Sequence, residues 1–112
     1  MSPDQAPLRP AVLHILLALA ERERHGLGIA DAVAEASEGV VTLGPGTLYR
    51  SLDEMRGMGL VEPVAAPTSD ADPRRKYYRI TAAGRLLLAA EVARLGRLVA
   101  YARDRHALPE GA

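Results

Sequence analysis

Side chains able to do chemistry are scarce in this chain, and they are widely spread. It has no cysteine, which excludes disulfides, thiolate metal sites and cysteine nucleophiles. His14, His25 and His106 include no pair at metal-binding spacing. None of Ser2, Ser37, Ser51 or Ser69 stands in a nucleophile elbow. Gly26-Leu27-Gly28 and Gly44-Pro45-Gly46 lack the lysine and the preceding parallel strand of a phosphate-binding loop. An enzyme is not expected, nor is a cofactor.

Positive charge, by contrast, is concentrated. Arg74, Arg75, Lys76 and Arg79 crowd together and Arg85 follows, in a chain whose 14 Lys and Arg are balanced by 14 Asp and Glu. A neutral protein that binds nucleic acid must gather its cations locally, because each phosphate neutralised releases counterions. The same run would also suit a charged strand edge that discourages aggregation. A second group, Gly46, Thr47, Tyr49 and Arg50, lies at the start of a helical segment. There, bare N–H groups beside Gly46 can approach a phosphate, while Thr47, Arg50 and Glu54 can reach base edges. An ordinary three-helix bundle with a solvated polar face gives the same pattern.

The surrounding elements must place these two groups side by side. Residues 8–24 repeat apolar positions at helical spacing (Leu8, Val12, Ile15, Leu16, Leu19), with Leu13 and Leu17 adding a second apolar face. Two glycines break this helix at His25-Gly26-Leu27-Gly28, and a second helix is expected over 27–37. Pro45 suits a first helical position, and the third helix over 45–58 turns Leu48, Leu52 and Met55 inward. A short link between two helices, the second with a polar outer face, is the layout of a helix-turn-helix. Strands are predicted at 60–65 and 74–81, joined by a polar turn to make a hairpin whose second strand carries the basic run.

Thr81 can cap a last helix reaching about residue 107. Leu88, Val92, Leu95 and Val99 alternate spacings of four and three, as in the seam of paired helices. Leu86, Leu87, Leu98 and Tyr101 add more apolar surface than one small domain hides, which favours a homodimer over packing on the first helix of the same chain. The expected organisation is a disordered segment 1–7, a DNA-binding unit 8–81, a dimerisation helix 82–107 and a tail 108–112. With 112 residues, 48% of them hydrophobic, and neither Phe nor Trp, the core must be aliphatic. The start shows no basic-then-apolar leader, and the apolar run 11–20 is too short to cross a bilayer, so a cytoplasmic protein without membrane contact is expected.

His25-Gly26-Leu27-Gly28-Ile29, Pro45-Gly46-Thr47-Leu48-Tyr49, Gly59-Leu60-Val61 and Arg74-Arg75-Lys76-Tyr77-Tyr78-Arg79-Ile80-Thr81 with Gly84 follow one another over residues 8–91. In this order and spacing they resemble the successive signatures of PadR-family regulators. The resemblance implies a mostly α fold with a small β-hairpin: a winged helix-turn-helix of three helices and a two-stranded wing, plus one C-terminal dimerisation helix. It further implies a homodimer that represses by binding double-stranded operator DNA, with residues 45–49 in the groove and Arg74, Arg75 and Lys76 on the wing. Release by a small-molecule effector is implied by relatives that respond to phenolic acids or drugs. Three departures stand out: Leu27 where relatives often have Tyr, Arg50 where they commonly have Pro, and no Trp to stack on a planar drug. The competing readings are a winged helix that binds protein, and a ligand sensor without operator affinity.

Overall fold

The computed structural model describes residues 6–106. They fold in the order α1 (Pro10–Glu21), β1 (Arg24–His25), α2 (Gly26–Ala36), α3 (Pro45–Gly57), β2 (Val61–Val64), β3 (Tyr77–Ile80) and α4 (Ala82–Asp104). The expected helix end at residue 107, the tail 108–112 and most of the segment 1–7 lie outside the described residues.

Each helix starts where its sequence supplies a start. Proline stands at the head of α1 and of α3, where no backbone donor is lost. For α2 the cap is His25, whose Nδ1 accepts from the Gly28 N–H at 3.1 Å. For α4 it is Thr81, whose Oγ1 accepts from the Gly84 N–H at 3.0 Å and donates to the Gly59 carbonyl at 2.6 Å. That hydroxyl therefore fixes the helix start and its docking on the end of α3 together.

One aliphatic core holds the layers. Ile15, Leu16 and Leu19 of α1 meet Ile29 and Val33 of α2 and the Leu48, Leu52, Met55 stripe of α3. Val61, Tyr78 and Ile80 close it from the sheet, and Leu88 from α4. α4 begins so close to the sheet that a methyl group on Gly84 would overlap the Leu60 carbonyl oxygen. Glycine is what lets the helix in.

The hairpin is found where it is expected, with shorter strands and a third strand beside it. The strands are shorter than predicted, pairing Val61 with Ile80 and Val64 with Tyr77, so Arg74, Arg75 and Lys76 sit in the connecting loop and not in a strand. The loop is bent by its acids: Asp70 Oδ1 accepts from the Asp72 N–H, Asp72 Oδ1 from the Arg74 N–H, and the Asp72 carbonyl from the Arg75 N–H. These local bonds compete with the ladder and end it early. The hairpin is also not alone. Arg24 and His25 pair antiparallel with Tyr78 and Tyr77, giving a three-stranded sheet in the order β1-β3-β2. Two residues give no periodicity to read, which is why β1 escapes a sequence pattern.

Only the first half of α4 packs on its own domain. Gly84, Leu88 and Glu91 are buried, whereas 96–101 are all exposed and a side chain added at Gly96 would meet nothing. The overhang makes the molecule long, 52 × 31 × 24 Å.

Candidate nucleic-acid interface

The outer face of α3 is set by its buried stripe. With Leu48, Leu52 and Met55 inward, the helical period turns Gly46, Arg50 and Asp53 directly outward, with Thr47 and Glu54 on one flank and Tyr49 and Arg56 on the other. Gly46, Thr47 and Arg50 are exposed, and Tyr49 is half exposed at 49%. Asp53, not singled out from the sequence, belongs to this face as much as Arg50 does. Glu54 is tied back to Arg9, ahead of α1, at 3.4 Å.

Tyr49 leans toward the start of α2. Its hydroxyl lies where a Cβ on Gly26 would be, so the two helices of the turn approach closely only because residue 26 has no side chain. From Gly26 the contacts continue through its neighbour His25 to the basic loop, where the Arg75 guanidinium is 3.4 Å from His25 Nε2. Arg75, His25, Gly26 and Tyr49 thus form an unbroken line from wing to third helix. The two groups of residues picked out in the sequence share one surface, and His25 joins them. Its signal was legible: a residue able to accept, three positions before a glycine N–H at a helix start.

The loop that carries the cations is braced. Tyr77 donates to Asp70 Oδ2 at 2.6 Å, and its ring meets the His25 ring edge-on, with centroids 5.3 Å apart. The Tyr77 bond, helped by the Asp72 N–H, holds the Asp70 carboxyl below its ordinary range, and the same bond pushes the Tyr77 phenol up. Arg74, Arg75 and Lys76 are all exposed on this frame, with Arg74 resting 3.6 Å from Asp72. Arg79 is different: Glu62 across the ladder neutralises it at 2.6 Å. Desolvation, the largest influence on Tyr78, raises its phenol.

The residues expected at a subunit seam separate into two kinds. Leu88 is 8% exposed and packs in the core of its own domain, which it closes from α4. Val92 and Val99 are 48% and 43% exposed, and Leu95 lies between them at partial burial. Glu91, unremarked in the sequence, is buried on the same side and bound by Arg94 at 2.6 Å and by the Leu8 N–H at 2.8 Å. Among the described residues no group of His, Asp and Glu is arranged to hold a metal ion, and no helix is long and apolar enough to cross a membrane.

Comparison with known proteins agrees with this architecture. Curated proteins gave no match. Among solved structures, the chain is similar to a PadR family transcription regulator from hypervirulent Clostridium difficile, at 25% identity and a TM-score of 0.74 over 86% of this chain and 97% of that one. A transcriptional regulator from Clostridium thermocellum shares the fold at 19% identity and a TM-score of 0.69, over 84% of this chain and 87% of that one. So does Bacillus subtilis PadR in complex with operator DNA, at 19% identity and a TM-score of 0.64, over 75% of this chain and 47% of that one. The profile of the transcriptional regulator PadR-like family matches residues 15–90, well over half of the sequence, and the protein belongs to that family.

Proposed function

We propose that this regulator is a repressor that binds a pseudo-palindromic operator as a homodimer. The observation that carries the reading is the line from Arg75 through His25 and Gly26 to Tyr49, which puts the basic loop and the outer face of α3 on one surface. In this arrangement α3 enters the major groove, with Gly46, Thr47, Tyr49 and Arg50 at its leading end, while Arg74, Arg75 and Lys76 reach the flanking phosphates. The Bacillus subtilis relative crystallised with operator DNA supports the same use of the fold.

The overhanging half of α4 supports the dimer. Val92, Leu95, Val99 and Ala102 prolong the face that Gly84, Leu88 and Glu91 bury in their own domain, but that domain covers Leu95 and Ala102 only partly and leaves Val92 and Val99 exposed. A second α4 with the same stripe would cover them symmetrically. For release by an effector, the cleft of about 250 Å³ between residues 6–9 and the end of α3 is the supporting feature. Val12, Met55, Met58, Leu60 and Leu87 line it, and Glu54 stands at its edge, so an apolar molecule there would bear on α3 directly.

Fluorescence anisotropy against fragments of the source genome tests the proposal. One preferred duplex, bound with an affinity that falls steeply between low and moderate salt, is the expected result. No preferred fragment and no salt dependence would leave a protein-binding module or a ligand sensor in its place.

A further inference from the structure

His25 is bound at one ring nitrogen and presented at the other. Nδ1 accepts the Gly28 N–H at 3.1 Å, so in the neutral ring that nitrogen carries no hydrogen and the proton resides on Nε2. The atom 3.4 Å from Nε2 is Nη1 of Arg75, which is also only a donor. The contact between wing and α2 is therefore not a hydrogen bond. It is two donors brought together without an acceptor.

The surroundings do not supply that acceptor. Asp70 is close enough for both Arg75 and His25 to lower its carboxyl, but its oxygens are engaged by the Tyr77 hydroxyl and the Asp72 N–H. Among the described residues no carboxylate lies within ion-pairing distance of the Arg75 guanidinium. The pair is also held ready. The edge-on Tyr77 ring fixes the plane of His25, Tyr77 is itself fixed by Asp70, and the Arg75 backbone is tied to the Asp72 carbonyl. Two convergent donors, one of them cationic, on a braced and exposed frame suit a single anionic group with two oxygens to offer.

We propose that His25 and Arg75 jointly clamp one phosphate of the DNA backbone, so that the start of the helix-turn-helix and the wing seize the same point of the duplex. This rests on the operator reading above and goes beyond it by making His25 a DNA contact and not only a helix cap. Binding replaces a donor-to-donor contact by two bonds to one phosphate, which adds a link through the DNA between the basic loop and the cap of α2.

The test uses His25→Asn, because asparagine can still cap α2 through its Oδ1 while removing the Nε2–H. Operator duplexes carrying single methylphosphonates, which neutralise one phosphate at a time, are titrated with wild type, His25→Asn and Arg75→Ala, with thermal melting confirming that each is folded. The wild type is expected to lose roughly tenfold at one phosphate per half-site, the scale of a charge-assisted bond, and both variants less than twofold at that same phosphate. Nitrogen-15 NMR of the ring in the DNA-free protein at neutral pH should find the proton on Nε2. A proton on Nδ1, or a His25→Asn protein that still loses tenfold at that phosphate, overturns the clamp. A wild type that binds no duplex while showing the expected tautomer sinks the operator reading itself, and the clamp with it.

Discussion

Glu91 of α4 accepts the backbone N–H of Leu8 at 2.8 Å, fastening the lead-in of α1 to a helix that begins more than seventy residues later. The carboxylate is 6% exposed and is also gripped by Arg94 through two bonds, of 2.6 and 3.1 Å. It is thus a buried charge with all its partners in place, and it joins the first and last helices of the domain.

This joint makes stability depend on acidity. The Arg94 bond first, then the Leu8 N–H, hold the Glu91 carboxyl below its ordinary range, against a smaller opposing effect of burial. The unfolded chain then binds the proton more tightly than the folded one, so this contribution is complete above the ordinary glutamate pKa of about 4.3 and is lost as pH falls through the lower folded value. Urea midpoints measured from pH 6 down to pH 3 should fall less in Glu91→Gln than in wild type. Parallel slopes would show that Glu91 does not carry the acid sensitivity.

Gly26 and Tyr49 are expected to be coupled. Gly26→Ala forces the Tyr49 ring aside, at a cost of about 1–3 kcal/mol for an overpacked site. Tyr49→Phe removes the atom nearest the added methyl, so the double variant should recover part of that loss. A thermodynamic cycle from denaturant unfolding reads the coupling, and strict additivity would mean that the two residues do not press on each other.

The sequence revealed most where a long period or a start signal was present. The α3 stripe of Leu48, Leu52 and Met55, the Pro45 start and the Thr81 cap are each found where the pattern puts them, because every one is a local preference that tertiary packing reinforces. It revealed least where a residue's role depends on a distant partner. Leu88 and Val99 look alike along the helix, yet one closes a core and the other is exposed, and what distinguishes them is where α4 runs past its own domain. Glu91 looks like a surface carboxylate until the Leu8 N–H arrives from the far end of the chain. The basic loop has the look of a strand in the sequence, because where the strand begins depends on acids, Asp70 and Asp72, that bind backbone nearby.

Variants of the two DNA-facing groups should behave differently. Lys76→Ala should weaken binding nearly equally on every sequence and reduce the salt slope by about 0.9, the value for one phosphate. Arg50→Ala should instead relax preference at one base pair, by about 1–3 kcal/mol if a bidentate contact is lost. Affinities on a panel of single-base operator variants at several salt concentrations separate the two. An Arg50→Ala protein with unaltered preferences would place that side chain outside the groove.

The subunit seam is best probed at Val99, which is exposed in the single chain and so can be changed without disturbing its core. Val99→Glu should leave thermal unfolding of the domain recognisable but shift sedimentation toward monomer at micromolar concentration, since a buried unpaired carboxylate costs several kcal/mol. Tight operator binding should fall with it, because a single half-site loses the gain of linkage. A Val99→Glu protein that sediments as a dimer would move the seam off this stripe.

The pairing of Arg79 with Glu62 has a consequence for how such a protein would search a genome. With that strand cation cancelled and Arg74 resting beside Asp72, Arg75 and Lys76 carry the unpaired charge of the wing among the described residues, as Arg50 and Arg56 carry that of α3. Attraction to any duplex would then act on the same face that reads an operator, so wrong sites would be met in the reading orientation.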